Sequence, residues 1–334
     1  MSIPVRRWLK FAAIALTLLY LGNNSTFYHR ELRSPTLLAH RGMAQDFDRT
    51  HLEGDTCTAA QMLPPEHAYL ENTLSSMAAA FERHADVVEF DIHPTTDGHF
   101  AVFHDWTLDC RTNGSGITRE HSLTELKNLD IGHGYTADGG KTFPFRGKGF
   151  GLMPSLDEVL ATFPGKRFLI HIKSNDPHEG DLLNQRLMKL TPEQRGKLSV
   201  YGGDLPISVL RKLVPDLQVM SKAMLKSCLL QYAGVGWTGY VPEVCHNMLL
   251  MVPLNVGPWL WGWPLRFVDR LASVGTQVYV VAPYQGEGFS RGINTAEEYY
   301  QLPPYYAGGI WTDHIERISP LILRPAAPLP ISPR

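Results

Sequence analysis

The chain has little net charge to offer a partner. Its 31 basic and 33 acidic residues leave a formal charge of -2 over 334 residues. That is no electrostatic footprint for DNA or RNA, and a nucleic-acid partner is excluded. Cysteine is scarce, with four residues. None sits in a C-x-x-C, so zinc-ribbon and thioredoxin-like readings fall away. No G-x-G-x-x-G follows the first predicted strand, which counts against a dinucleotide-binding sheet. Charged residues make up only 19%, and hydrophobic residues reach 44%. Such a chain has enough apolar surface for a real core, and general disorder is excluded.

The amino terminus carries the one long apolar run, Phe11 to Leu21, behind Arg6, Arg7 and Lys10. A basic segment followed by about a dozen apolar residues has the form of a secretory signal. As a helix the run spans about 16 Å, against a hydrocarbon core of about 30 Å. Leu21-Gly22-Asn23-Asn24 lacks an A-x-A cleavage pattern. The reading places an uncleaved anchor ahead of a cleaved signal. Either way the bulk of the chain is expected to be exported, secreted or held by that anchor. The expected organisation is a signal or anchor over 1–30, a barrel over 36–320 and a Pro-rich tail over 321–334.

Glycine and proline are plentiful instead, 29 and 24 residues. That is about one residue in six, above the average of roughly 12%, and points to long shaped loops. Between them, short strands alternate with helical patterns. Predicted strands fall at 37–39, 87–93, 100–103, 167–172, 198–201, 217–220, 249–252, 277–282 and 308–312. Helices are expected over 73–83, 156–163 (with Ser155 as N-cap), 179–190 and 206–213. This alternation argues for a parallel sheet with crossover helices, and the strand count is close to eight. The expected fold is a (β/α)8 TIM barrel with insertions after strands 1 and 3. A doubly wound sheet is the alternative.

Polar residues collect at the predicted strand ends, where barrel enzymes place their chemistry. His40 and Arg41 end the first strand. Glu89 and Asp91 lie two apart on the second, so both point to one face. His104 ends the third, and His171 and Lys173 alternate along the fourth. A buried strand with such groups is costly unless they bind a metal or a charged ligand. Two carboxylates beside two strand-end histidines form a metal-site pattern.

With these residues in view, the chain resembles the glycerophosphodiester phosphodiesterase family. The resemblance rests on His40-Arg41-Gly42, Glu71-Asn72-Thr73, Val88-Glu89-Phe90-Asp91, Thr96-Asp97-Gly98 and His104-Asp105, with Gly308 to Asp313 as the closing strand. It covers roughly residues 36 to 320. It implies a TIM barrel, one divalent cation (Mg, Ca, Mn or Zn) and hydrolysis of glycerophosphodiesters to glycerol 3-phosphate and an alcohol. By position, His40 and His104 become the acid–base pair, and Glu89 and Asp91 the metal ligands. One histidine removes the proton of the glycerol hydroxyl as it attacks phosphorus, and the other protonates the leaving alkoxide. Water then opens the cyclic phosphate. Arg41 and Lys173 would neutralise the phosphate oxygens. Glu71 and Asn72 would support the site from behind, and Asn72 also suits a helix N-cap.

The chain departs from the family pattern in two places. His171-Ile172-Lys173 stands where the family usually has Glu-x-Lys, which makes His171 the candidate third ligand. The interval from Gly42 to Glu71 is longer than usual and holds Asp46, Asp48, Glu53, Asp55 and Cys57; it reads equally as a solvated loop or a lid. The four cysteines allow three pairings. Cys57 and Cys110 both fall in loops on one barrel face, while Cys228 and Cys245 flank one connection, so these two pairs are expected. In the excursion after the third strand, Phe143, Phe145 and Phe150 read as packing rather than as a headgroup site. The run Pro258 to Pro264 holds Trp259, Trp261 and Trp263, where core burial is weighed against a membrane-interface role.

The expected substrate is a glycerophosphodiester or lysolipid headgroup, with a membrane surface as a possible partner. A lysophospholipase D or sphingomyelinase D-like activity would use nearly the same residues. A silent binding protein on the same scaffold is the other class. Retention of both histidines argues for an enzyme, because binding alone needs neither.

Overall fold

The computed structural model describes residues 5–25, 34–50, 56–286, 291–304 and 306–323. Glu53, Asp55 and the Pro-rich tail beyond residue 323 lie outside the described residues. The chain forms two compact units. One comprises Ser34–Lys173, Arg291–Gln301 and the chain from Ile310. The other comprises the amino-terminal segment, Ser174–Ser290 and Leu302–Gly309.

In the first unit the parallel strands are β1 (Thr36–Ala39), β2 (Val87–Pro94), β4 (Arg167–Ile172) and β9 (Gly309–Thr312). β1 pairs with β2 at Leu38↔Val87, and β2 with β4 from Val87↔Arg167 to Ile92↔Ile172. The His40 amide donates to the Thr312 carbonyl at 2.9 Å, tying β1 to β9. Every residue of β2 is buried, as expected of a strand covered on both faces. Its side chains alternate, with Val88, Phe90 and Ile92 on one side and Glu89, Asp91 and His93 on the other. Phe90 meets Phe168 edge to face, and Phe168 meets Phe81 in the same way. One row packs while the other is left for chemistry.

Phe100–Val102 differs from the sequence expectation. It is β3, antiparallel to β2 through Ile92↔Val102 and His93↔Ala101, and stands off the parallel series. The short Asp97-Gly98 turn decides this, because a turn of that length can join only antiparallel strands. Gly98 has a positive φ of 79°, as such a turn requires. The excursion from Cys110 to Met153 therefore belongs to the connection after the second parallel strand.

The second unit holds β5 (Leu198–Gly202), β6 (Gln218–Ser221), β7 (Leu249–Pro253) and β8 (Gln277–Val281). β5 pairs parallel with β6 and β7 with β8, and a parallel bridge Val219↔Met248 joins the pairs. Across the chain there are thus eight parallel strands among the described residues, each followed by helix. The fold is of the (β/α)8 class.

Several helices begin at a capping side chain. α1 runs over Val5–Asn23, α2 over Leu74–Glu82 and α3 over Leu156–Thr162. α4 is Pro177–Leu187, α5 Asp204–Leu213, α6 Lys222–Val235, α7 Leu265–Ser273 and α8 Ile315–Leu323. Ser155 forms a capping box with Glu158, as its position suggested. The cap of α2 is Thr73, not Asn72. Asn72 takes a left-handed φ of 60° and turns its side chain to the site instead.

The two insertions of the first unit share a core of their own. Ala59, Met62 and Leu70 from one meet Leu108, Leu126, Tyr135 and Phe145 from the other, all buried. The long insert after β1 is therefore packed rather than merely solvated over its described part. Phe145 is buried as expected, while Phe150 is exposed. The Cys57–Cys110 disulfide joins the two insertions, and Cys228–Cys245 closes a shorter loop in the second unit. Cys57 and Cys110 are 53 residues apart in sequence. Constraining a loop of that size is worth about 4 kcal/mol in the chain-entropy treatment. Cys57→Ser with Cys110→Ser is expected to lower stability by that order in denaturant melts. Equal midpoints for variant and parent would remove the disulfide from the stability of this unit.

Candidate active site

All nine site residues expected from the sequence fall in the first unit, and hydrogen bonds or ion pairs join them into one network. Its hub is Asp91. This buried carboxylate accepts from Asn72 Nδ2 at 3.0 Å and contacts His171 Nδ1 at 2.8 Å. Arg41 Nε lies 3.3 Å away and Lys173 Nζ 3.5 Å. Glu89, two residues earlier on the same face, accepts the Arg41 amide at 3.1 Å and lies 3.7 Å from His40 Nε2. Arg41 Nη1 donates to Glu71 at 2.9 Å.

The turn after β1 is shaped for this. Arg41 and Gly42 both have positive φ, 59° and 77°. A Cβ on Gly42 would come within 2.7–2.9 Å of Ser76 and Met77, so only glycine fits at the start of α2. Arg41 and Asn72 are both non-glycine residues in the left-handed region, and the Asn72 amide donates to the Arg41 carbonyl at 3.0 Å. Backbone held in such conformations concentrates at functional sites.

Each histidine has a carboxylate on Nδ1. His40 meets Asp313 at 2.6 Å, and His104 meets Asp105 at 2.7 Å. Such pairing fixes the ring and leaves Nε2 toward the reacting groups. Asp105 is held in turn by Arg111 Nε at 2.9 Å, and Arg111 also reaches Glu71, Tyr135 and Thr58. Asp313 is held by Asn294 Nδ2 at 2.7 Å, the Gly292 amide and Arg49. Sequence reading assigned no role to Asp105, Arg111, Asn294 or Asp313. The two aspartates stood inside quoted motifs; adjacency to His104 was the available signal for Asp105, and the end of the closing strand for Asp313. Arg111 and Asn294 carried none, since their contacts come from folding. His93 was also missed; it is buried beside the His104 carbonyl at 3.4 Å and packs on Trp106.

Burial and charge set the protonation states. Burial pushes the acids up, but their cations outweigh it. Lys173 and Arg41 hold Asp91 well below the usual range, and Arg111 does the same for Asp105. Burial, then Arg41 and Lys173, push His104 down to about 3, so its ring is neutral near pH 7. Burial likewise lowers His171 to about 4, although Asp91 pulls the other way. A neutral imidazole is the form that ligates a metal.

Glu89, Asp91 and His171 each present one ligand atom, all within 4.8 Å of one another. The carboxylates are buried and His171 is partly open. Two carboxylate oxygens and a neutral ring nitrogen fit a divalent cation.

The acidic insert feeds the same network from outside. Asp46 pairs with Arg49, Arg317 and His314. Burial opposes charge on His314, but hydrogen bonds and attraction from Asp46 and Glu316 raise it to about 9. A histidine with a raised folded value stabilises fully below about pH 6.5 and loses that contribution as pH rises through about 9. His314→Gln is therefore expected to cost about 3 kcal/mol near pH 6 and much less near pH 10. A melting deficit that stays constant across this range would show that the charge on His314 does not stabilise the fold.

A barrel with paired carboxylates and two carboxylate-braced histidines has the groups that hydrolytic chemistry needs. Residues 40–197 match the Glycerophosphoryl diester phosphodiesterase family. A glycerophosphodiester phosphodiesterase of Caldanaerobacter subterraneus subsp. tengcongensis is 39% identical over 257 residues, 75% of this chain and 92% of that protein. Another from Bacillus subtilis is 37% identical over 115 residues, 33% of this chain and 38% of that protein. Among solved structures, the glycerophosphoryl diester phosphodiesterase domain of a Mycobacterium tuberculosis protein aligns with a TM-score of 0.61 at 16% identity, covering 84% of this chain and 97% of that one. An Oleispira antarctica phosphodiesterase, solved with the product sn-glycerol-3-phosphate, aligns with a TM-score of 0.51 at 18% identity, over 86% and 97%. The chain belongs to the glycerophosphodiester phosphodiesterase family and is a phosphoric diester hydrolase.

Proposed function

We propose that the protein hydrolyses glycerophosphodiesters to glycerol 3-phosphate and an alcohol, with Glu89, Asp91 and His171 holding one divalent cation and His40 and His104 moving the protons. The carrying observation is the pair of histidines braced by Asp313 and Asp105 beside the carboxylate cluster. A divalent cation held by these three groups would place positive charge on the non-bridging phosphate oxygens. Arg41 and Lys173, now within 3.3 and 3.5 Å of Asp91, stand ready to share those oxygens. His104 is neutral with Nδ1 engaged by Asp105, so Nε2 is the acceptor for the glycerol hydroxyl proton as that oxygen attacks phosphorus. His40, with Asp313 at 2.6 Å from Nδ1 and Glu89 at 3.7 Å from Nε2, is the donor to the departing alkoxide. Water then opens the cyclic phosphate with the roles reversed.

The test is an assay of the purified protein with added divalent cation against glycerophosphocholine, lysophosphatidylcholine and sphingomyelin. Release of glycerol 3-phosphate from the first supports the reading. Turnover of only the lipid substrates would move the enzyme to a lysophospholipase D or sphingomyelinase D class, and no turnover of any would point to a binding protein.

His171 gives the metal site one less negative charge than a third carboxylate would. Hard Mg²⁺ and Ca²⁺ prefer oxygen, while imidazole suits Mn²⁺ or Zn²⁺. His171→Glu is expected to shift affinity toward Mg²⁺ and Ca²⁺ in calorimetric titrations. Identical metal preference in both proteins would remove His171 from the ligand set.

A further inference from the structure

α1 is apolar over most of its circumference and is left uncovered. Phe11, Ile14, Leu16, Leu18 and Leu21 are each 43% or more exposed. At 100° per residue they span a sector of roughly 220°, about twice the stripe of an ordinary surface helix. The sequence places its three basic residues, Arg6, Arg7 and Lys10, at the amino-terminal end of the helix, and Lys10 is exposed. A basic end thus leads into a broad apolar surface.

The foot of α1 is built into the second unit. Arg270 donates to the Gly22 carbonyl at 3.0 Å and the Asn23 side chain at 3.0 Å, answering carbonyls that a helix end leaves unpaired. Asn23 Nδ2 donates to the Trp237 carbonyl at 2.9 Å. Ser25 Oγ donates to the Gly262 carbonyl at 2.7 Å and accepts from the Leu265 amide at 3.2 Å. Beside this junction Trp237 and Tyr240 are 49% and 57% exposed. An open groove of about 540 Å³ lies there, lined by Leu230, Val235, Tyr240 and Val244 among others.

These features fit one occupant, a lipid bilayer with anionic headgroups. Exposed aromatics with polar tips suit the boundary between acyl chains and headgroups. Among the described residues no helix is long and apolar enough to cross a membrane. A helix with a wide apolar sector and a basic end, too short to span, lies in the interface plane instead. α1 carries no acidic residue, so the same helix of a second copy offers Lys10 no opposite charge. We propose that α1 and the aromatic rim at its foot form a monotopic docking surface for an anionic bilayer, with α1 retained as part of the folded protein.

The full chain should sediment with phosphatidylcholine–phosphatidylglycerol vesicles and bind pure phosphatidylcholine vesicles about tenfold or more less tightly, with added salt closing the difference. Phe11→Ser with Leu18→Ser should weaken binding by about a hundredfold, and Lys10→Glu by about tenfold, for the anionic vesicles alone. Acyl chains brominated at shallow positions should quench Trp8 more than those brominated deeply, a signal lost in Trp8→Phe. Unchanged vesicle binding by the double variant overturns the proposal. So does stronger deep quenching, a lipid-free dimer that the same substitutions dissociate, or a membrane-bound form whose mass lacks α1.

Discussion

His40→Ala and His104→Ala are each expected to lower turnover of glycerophosphocholine by at least about a hundredfold, the scale of acid–base catalysis. The two losses should differ in kind. With a p-nitrophenyl glycerophosphodiester the leaving group departs without needing a proton. The His40→Ala variant should then recover most of its activity, while His104→Ala stays slow, because deprotonation of the attacking hydroxyl is still required. A bell-shaped pH dependence in the parent should lose one limb in each variant. Equal rescue of both variants would refute the assignment of acid and base. Near-parental activity in either folded variant would remove that histidine from catalysis.

Asp91→Asn is expected to lower activity by about 10²- to 10³-fold, the size seen when a group stabilising developing charge is removed. Metal affinity should fall with it in calorimetric titrations. The change should also be felt in stability. Arg41 and Lys173 would keep their charges beside a neutral amide, and breaking a buried pair costs about 3 kcal/mol or more. The sign with pH follows from the direction of the Asp91 shift. Its carboxylate is held well below the usual range by Lys173 and Arg41 against the cost of burial. Its stabilising contribution is therefore present above about pH 4 and is lost as pH falls further. The melting difference between parent and Asp91→Asn should be full at neutral pH and shrink in acid. A variant that binds metal and turns over like the parent would displace Asp91 from the centre of the site.

The Cys57–Cys110 bridge bears on the same chemistry. Arg111 follows Cys110 and Thr58 follows Cys57, and Arg111 donates to Thr58 at 2.6 Å and to Asp105 at 2.9 Å. The covalent link between two insertions thus stands one residue from the side chain that braces the partner of His104. Packing, disulfide and proton transfer share one small region.

Much of this was legible in the residues themselves, because local rules governed it. Period-two alternation on β2 put Glu89 and Asp91 on one face whatever else the chain did. Ser155 signalled its helix through a side chain that caps its own backbone. Strand-end polar residues marked the site because burying them without a ligand or partner is costly. The order of strands and helices argued for the barrel for the same reason, since each apolar run needed cover. The tertiary structure decided what depends on distant segments. Phe100–Val102 turned antiparallel, and Asn72 left the helix cap to Thr73 in order to hold Asp91. Asp313 reached His40 across 273 residues of chain, and Arg111 found Asp105 and Glu71 together. Charges that meet only after folding have no periodicity to announce them. Which histidine sits among cations and which among carboxylates is therefore a property of the folded site and not of either residue.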